Sequence, residues 1–303
     1  MREKDFISII KNTLNSDYIG DDCAYLKDLG IVVTQDNLVE DVHFCLKYMS
    51  AFQLGVKSVA VNISDVCASG AEPAYLTIAL SLPSYIDENF IKEFYKGAKS
   101  PCPNGVDIVG GDITGADKVF VSVCAIGSSK GRKISSRKNA KIGYKVVVSG
   151  VHGSSAMGLK LLTSGKKAPE SFIKAHLEPT PQVEFCSQVS KNINSDYAMM
   201  DTSDGLMDAL STIANDSGVL LKVDYDKIPR EKGVDKNLVL FGGEDYGIVA
   251  VVPKSFDCGG VVVGEVVEGL GVDLNIDGKT VHYSKQDVES SIFNHFEGVN
   301  NEI

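Results

Sequence analysis

Apolar residues along this chain fall into short runs, and many of the runs end at acids, glycines or hydroxyls. Phe6 to Leu14 carries apolar residues at helical spacing and predicts a short helix. Ile31-Val32-Val33 predicts a short buried strand, after which Thr34-Gln35-Asp36-Asn37-Leu38-Val39-Glu40-Asp41 presents polar groups where the strand runs out. Ala51 to Ser69 reads as a long, mostly apolar helix holding Asp65 beside Asn62 and Ser64. Ala74 to Leu82 predicts a strand, and Asp87 to Ser100 an amphipathic helix with Asp87 as its N-cap. Val106 to Val109 predicts a buried strand that runs into a turn, Gly110-Gly111-Asp112-Ile113-Thr114, and Lys118 to Gly127 a further strand.

The second half repeats the theme. Lys145 to Val151 predicts a strand, followed by a glycine-rich turn, Gly153 to Gly158, that opens a helix. It is not a P-loop, because Leu159 stands before Lys160 and no Ser or Thr follows. A helix is expected from Gln182 to Ser190. A short strand, Ala198 to Met200, ends in Asp201-Thr202-Ser203-Asp204-Gly205, and a helix runs on through Met207, Leu210 and Ile213. Val219 to Val223, Ile248 to Val252, Val261 to Val263 and Val272 to Ile276 predict strands, with a polar excursion from Asp224 to Lys236. Phe241-Gly242-Gly243-Glu244-Asp245-Tyr246 is a second double-glycine turn. The polar end is expected to fray past Phe296.

The 303 residues suffice for two domains. Ser128 to Gly143 concentrates Lys130, Arg132, Lys133, Arg137, Lys138 and Lys141 in a chain of net charge -10. The boundary is placed there, giving domains 1–137 and 138–303. The acidic balance argues against a nucleic-acid binder, which needs a basic face. Seven scattered cysteines without a C-x-x-C pair suit a reducing cytoplasm. No run reaches the ~20 apolar residues of a membrane span. A cytoplasmic protein without a membrane partner is expected.

Five acids share one setting, an apolar element with small or hydroxyl neighbours: Asp22, Asp36, Asp65, Asp112 and Asp201. Singly, each has an ordinary structural reading, as a solvated turn, a salt bridge or a tight turn, and Ser203 or Asp204 could serve as an N-cap. Brought together in a low-dielectric cleft they would repel, unless divalent cations lay among them. Hard oxygen donors without a histidine or thiolate cluster favour Mg2+ over zinc. Carboxylate-held Mg2+ commonly holds phosphates too, so a magnesium-dependent phosphoryl transfer or another ATP-consuming reaction is the hypothesis.

An ordered set of motifs makes a resemblance specific: Gly20-Asp21-Asp22-Cys23-Ala24, Asp36-x-Leu38-Val39-Glu40-x-Val42-His43-Phe44, Asn62-Ile63-Ser64-Asp65 and Gly70-Ala71-x-Pro73. Gly110-Gly111-Asp112-Ile113-Thr114, Asp201-x-Ser203-Asp204-Gly205-Leu206 and Gly242-Gly243-Glu244-Asp245-Tyr246 continue it. The chain resembles the thiamine-monophosphate kinase family, of the superfamily shared with aminoimidazole ribonucleotide synthetase. The resemblance implies two α+β domains, with N-terminal strands forming a barrel across a homodimer and a C-terminal α/β sandwich. It also implies transfer of the ATP γ-phosphoryl to thiamine monophosphate.

By motif position, the resemblance implies a magnesium shell of Asp22, Thr34, Asp36, Asp65, Asp112, Asp201 and Asp204, with Asp36, Asp65, Asp112 and Asp201 central to catalysis. ATP would meet Tyr95, Gly111, Asp112, Arg137 and Ser203. The thiamine phosphate would meet His43, Glu244 and Phe293, though plain packing would explain Phe293 as well. Gln35, Asp41, Gly247 and Lys141-Ile142-Gly143-Tyr144 depart from the family pattern. Another ATP-dependent enzyme of the superfamily, or a non-catalytic nucleotide or magnesium binder, is the alternative.

Overall fold

The computed structural model describes residues 3–165 and 169–293, so the expected fraying past Phe296 lies outside the described residues. After α1 (Glu3–Leu14), a first sheet gathers β1 (Ala24–Leu26), β2 (Ile31–Val39), β3 (Glu72–Leu82), β4 (Asp107–Gly115) and β5 (Phe120–Ser128). Their order is β1-β2-β5-β3-β4, antiparallel except for β3 and β4. α2 (Ala51–Ala68) packs on β2, β5 and β3, and α3 (Glu88–Lys99) packs on α2.

A second sheet gathers β6 (Tyr144–Ser149), β7 (Ala198–Asp201), β8 (Leu220–Asp224), β9 (Ile248–Pro253), β10 (Val261–Val267), β11 (Gly271–Ile276) and β12 (Lys279–Tyr283). Its order is β12-β11-β8-β10-β6-β9-β7. Around it lie α4 (Ser154–Ser164), α5 (Glu170–Leu177), α6 (Val183–Asn192), α7 (Leu206–Ser217), α8 (Lys236–Phe241) and α9 (Lys285–Glu289).

Period-two side-chain alternation explains why the central strands of this sheet are apolar on both faces. Val147, Met199, Ile248, Ala250 and Val252 join a core shared with α2 and the first sheet. Their neighbours Val146, Val148, Met200, Val249 and Val251 join a second core beneath α7 and α8. α2 is therefore buried almost throughout. Its start is fixed by a capping box in which Ser50 and Gln53 satisfy each other's backbone N–H. It crosses α3 at two glycines: a Cβ on Gly55 would lie 2.0 Å from the Phe94 carbonyl, and one on Gly97 1.9 Å from that of Phe52.

Two expectations change. The strand does not run out after Val33, because β2 pairs with β5 along its whole length, from Ile31 with Ser128 to Val39 with Phe120. Val32, Thr34, Asp36 and Leu38 alternate on the covered face, while Gln35 and Asn37 are exposed. Nor is Gly110-Gly111-Asp112 a turn; it continues β4 in parallel register with β3, past an irregularity beside Val109. The glycine there answers a close approach, since a Cβ on Gly111 would stand 1.7 Å from the Ile78 carbonyl oxygen.

Candidate active site

Three carboxylates from distant parts of the chain meet between the sheets. Asp22 precedes β1, Asp65 lies near the end of α2, and Asp201 closes β7; one oxygen from each lies within 4.8 Å of the others. Each is held from a different side. Thr34 on β2 donates its hydroxyl to Asp65 at 2.7 Å, and Ser64 donates to Asp201 at 2.7 Å. The Ser203 hydroxyl donates to the other Asp201 oxygen at 2.9 Å. Arg137, in the segment joining the sheets, donates Nη2 to Asp22 at 2.8 Å, and its backbone N–H binds Asp21 at 2.7 Å. Asp21 also accepts from Ser136, so the Asp21-Asp22 turn is clasped by the linker.

Asp36 adjoins this group from β2, its backbone N–H donating to Asn62 at 3.1 Å. Among the described residues no hydrogen bond reaches its carboxylate. Burial, then the charge of Asp201, then Glu3, raise its pKa to about 6. Burial and Asp22 raise Asp201 to about 6 against the hydrogen bonds from Ser64 and Ser203. Asp65 is pushed well above the ordinary range by burial and by Asp36, Asp201 and Asp22. Burial, Asp208 and Glu3 bring Asp204 to about 6. Burial also raises Asp22, although Arg137 opposes it. Such a site is short of positive charge, and Asp22 Oδ2 is buried without a hydrogen-bond partner. A set of hard oxygens in this state fits a divalent cation such as Mg2+.

Asp204 and Ser203 do not cap the following helix: the N-cap of α7 is Gly205, without a side-chain hydrogen bond. The capping carboxylate of this region is Asp245, which reaches across to accept from Gly153 N at 2.5 Å and Ser155 N at 2.9 Å at the start of α4. The glycine-rich turn before α4 is thus filled by the protein's own acid. Gly247 has a local reason as well, since a Cβ there would lie 2.7 Å from the ring of the buried His152.

A second cluster neighbours the first. Glu244, in a left-handed backbone conformation with φ 65°, donates its N–H to the Ser203 carbonyl at 2.7 Å. Lys57, fully buried on α2, sets Nζ 2.8 Å from Glu244 Oε1 and 3.5 Å from the His43 carbonyl. His176 on α5 places Nδ1 3.3 Å from Glu244 Oε2. Burial would raise the Glu244 pKa, but Lys57, His176 and His43 bring it below the ordinary value. Glu244 and His43 are thus bridged by one ammonium group.

The other candidates are more dispersed. Tyr95 lies on α3, half-buried against the first core. Phe293 is 71% exposed at the edge of the described residues. Asp112 does not join the three carboxylates. It lies on the outermost strand β4, beside Gly111, which is in register with Asp36 through Ile78 and Val123. Three strand spacings separate those rows, roughly 14 Å along the sheet. The pattern of acids and glycines pointed to neither Lys57 nor His176. The available signal was a lysine set between Val56 and Val59 in an otherwise apolar helix, where a charge must find a partner.

Residues 20–129 match the family described as AIR synthase related protein, N-terminal domain. A thiamine-monophosphate kinase of Aquifex aeolicus is 35% identical over 297 residues, covering 91% of this chain and 94% of that protein. One from Prochlorococcus marinus is 30% identical over 326 residues, covering 97% and 96%. The solved structure of AaThiL complexed with AMPPCP and TMP matches with a TM-score of 0.86 at 33% identity, over 97% of each chain.

Proposed function

The chain belongs to the thiamine-monophosphate kinase family of phosphotransferases, and from that premise we propose that it moves the ATP γ-phosphoryl directly to thiamine monophosphate, giving thiamine diphosphate and ADP. The observation that carries this reading is the convergence of Asp22, Asp65 and Asp201 with Asp36 beside them. In this reading Asp22, Thr34, Asp36, Asp65, Asp201 and Asp204 hold Mg2+. Bound there, Mg2+ would neutralise charge on the phosphoryl oxygens.

The residues align and neutralise; none has to remove a proton from the acceptor, which is already a phosphate oxygen. That oxygen forms a bond to the γ-phosphorus while the bond to the β–γ bridging oxygen breaks, and the electron pair leaves with ADP. Arg137 offers a guanidinium at the phosphate end, with a buried Nε that lacks a hydrogen-bond partner. Ser203, Gly111, Asp112 and Tyr95 complete the nucleotide contacts. His43, Glu244 and Phe293 face the thiamine moiety, where a carboxylate suits a cationic ring. No phosphoenzyme forms, so label from ATP should not stay on the protein when acceptor is withheld.

The division into domains 1–137 and 138–303 and a homodimer barrel of N-terminal strands belong to the same reading. Its support is β4, an outer strand exposed along most of its length, including Val109 and Ile113. Asp112 lies on that strand, so pairing of two copies would change its surroundings most. The protein would work in the cytoplasm, with its seven free cysteines reduced. The deciding experiment incubates purified protein with ATP, Mg2+ and either thiamine phosphate or free thiamine, and weighs the products. Thiamine diphosphate should form from the phosphate alone; its formation from free thiamine, or its absence, overturns the reading.

A further inference from the structure

Lys57, His176 and Glu244 come from three separate segments, and the carboxylate is the part of the trio that reaches solvent. Its side chain is 28% exposed, against 0% for Lys57 and 2% for His176. Lys57 donates to one carboxylate oxygen, and His176 Nδ1 faces the other. His176 is neutral near pH 7, since burial and Lys57 lower its pKa to about 4. The tautomer compatible with a carboxylate at 3.3 Å carries its proton on Nδ1, where it is shared with the Ser155 hydroxyl 3.1 Å away, and leaves the buried Nε2 without a partner. A carboxylate oxygen has a second lone pair beyond the one that meets its holder, and the 28% exposure of the side chain leaves room for a ligand there. Stability alone does not call for this arrangement, because an apolar set of the same volume is often as stable as a buried ion pair.

We propose that Lys57 and His176 are positioning residues, which hold the Glu244 carboxylate charged and in one orientation as counter-ion and hydrogen-bond acceptor for the cationic heterocycle of the substrate. The proposal rests on the reading that Glu244 faces the thiamine moiety. Loss of either holder frees the carboxylate to rotate, and loss of Lys57 also leaves it in a buried site without its counter-charge. The other groups facing Glu244 are His43 after β2, Tyr48 before α2, and Asp245 and Tyr246 of its own loop. Of these, His43 draws the Glu244 pKa down, and it ranks below Lys57 and His176 in that pull.

The test uses the full chain with ATP, Mg2+ and thiamine phosphate, and compares Lys57→Met, His176→Phe, His176→Asn and Glu244→Gln. KM for thiamine phosphate should rise about ten- to a hundred-fold in Lys57→Met and His176→Phe, the size of a lost charge-assisted hydrogen bond. KM for ATP should not change. His176→Asn keeps a donor near the Nδ1 position and should recover most of the loss, which a merely space-filling role would not predict. In Lys57→Met, KM should climb further as pH falls from 8 to 6, because Glu244 then takes up a proton; wild type and Glu244→Gln should lack that added slope. If Glu244→Gln leaves KM unchanged, the reading of Glu244 and this proposal both fall. If Glu244→Gln raises KM while folded Lys57→Met and His176→Phe do not, the positioning role is overturned and the reading of Glu244 stands. Should Lys57→Met fail to fold, the His176 pair decides by the same criterion.

Discussion

Replacing Asp36 with asparagine should make the cation-free protein more stable while stopping the reaction. Asp36 is the cleanest of the clustered acids to test, because the substitution removes no hydrogen bond to its carboxylate among the described residues. Its pKa stands at about 6 against an ordinary value of 3.8. At about 1.4 kcal/mol per unit, keeping it ionised at pH 7.5 costs the folded state about 3 kcal/mol, and asparagine removes that cost. For a chain of this length the gain corresponds to about 5 °C in Tm. A raised folded pKa fixes the sign with pH: wild type loses stability as pH rises from about 4 to about 6, so the advantage of asparagine grows across that window and is level above it. The assay is thermal unfolding by circular dichroism in chelator at several pH values, then with Mg2+ added. Mg2+ should stabilise wild type more than the variant, since binding to the folded state adds RT ln(1 + [L]/Kd) and the variant has one ligand fewer. An Asp36→Asn protein no more stable than wild type in chelator at pH 7.5 would refute the argument.

Other substitutions should behave differently. Arg137→Met removes the counter-charge of buried Asp22 and should cost about 3–5 kcal/mol in chelator, read by urea denaturation, the opposite direction to Asp36→Asn. Gly111→Ala forces β4 away from the Ile78 carbonyl and should cost about 3 kcal/mol or more by the same measurement. Asp245→Ala unties the first turn of α4 from the loop carrying Glu244; it should cost about 1–2 kcal/mol and raise KM for thiamine phosphate.

The acids were legible in the sequence because each interrupts an apolar run, and the order of their motifs carried the family. Their setting was less legible. The strand was expected to run out after Val33 because polar residues cluster there, yet β5 continues the ladder to Val39 and turns Thr34 to Val39 into alternating strand positions, the chain turning only at Asp41. The double glycine before Asp112 misled in the same way, since a tight approach by a neighbouring strand asks for glycine as much as a turn does. The displacement of Asp112 depends on strand order, which no local pattern encodes. The partners Lys57 with Glu244 and Asp245 with α4 lie far apart in sequence, and nothing about either residue alone names the other.

The hydrogen bond from Ser64 to Asp201 spans 137 residues of chain. At roughly 5–20 residues per second, a ribosome needs about 7 to 27 seconds to make that stretch. During that interval the N-terminal part of the chain carries Asp22 and Asp65 without their third companion. A growing polypeptide therefore cannot seat the trio of carboxylates in its sheet until β7 and its partner strand β9 have both emerged, so the capacity for chemistry arrives late in biosynthesis.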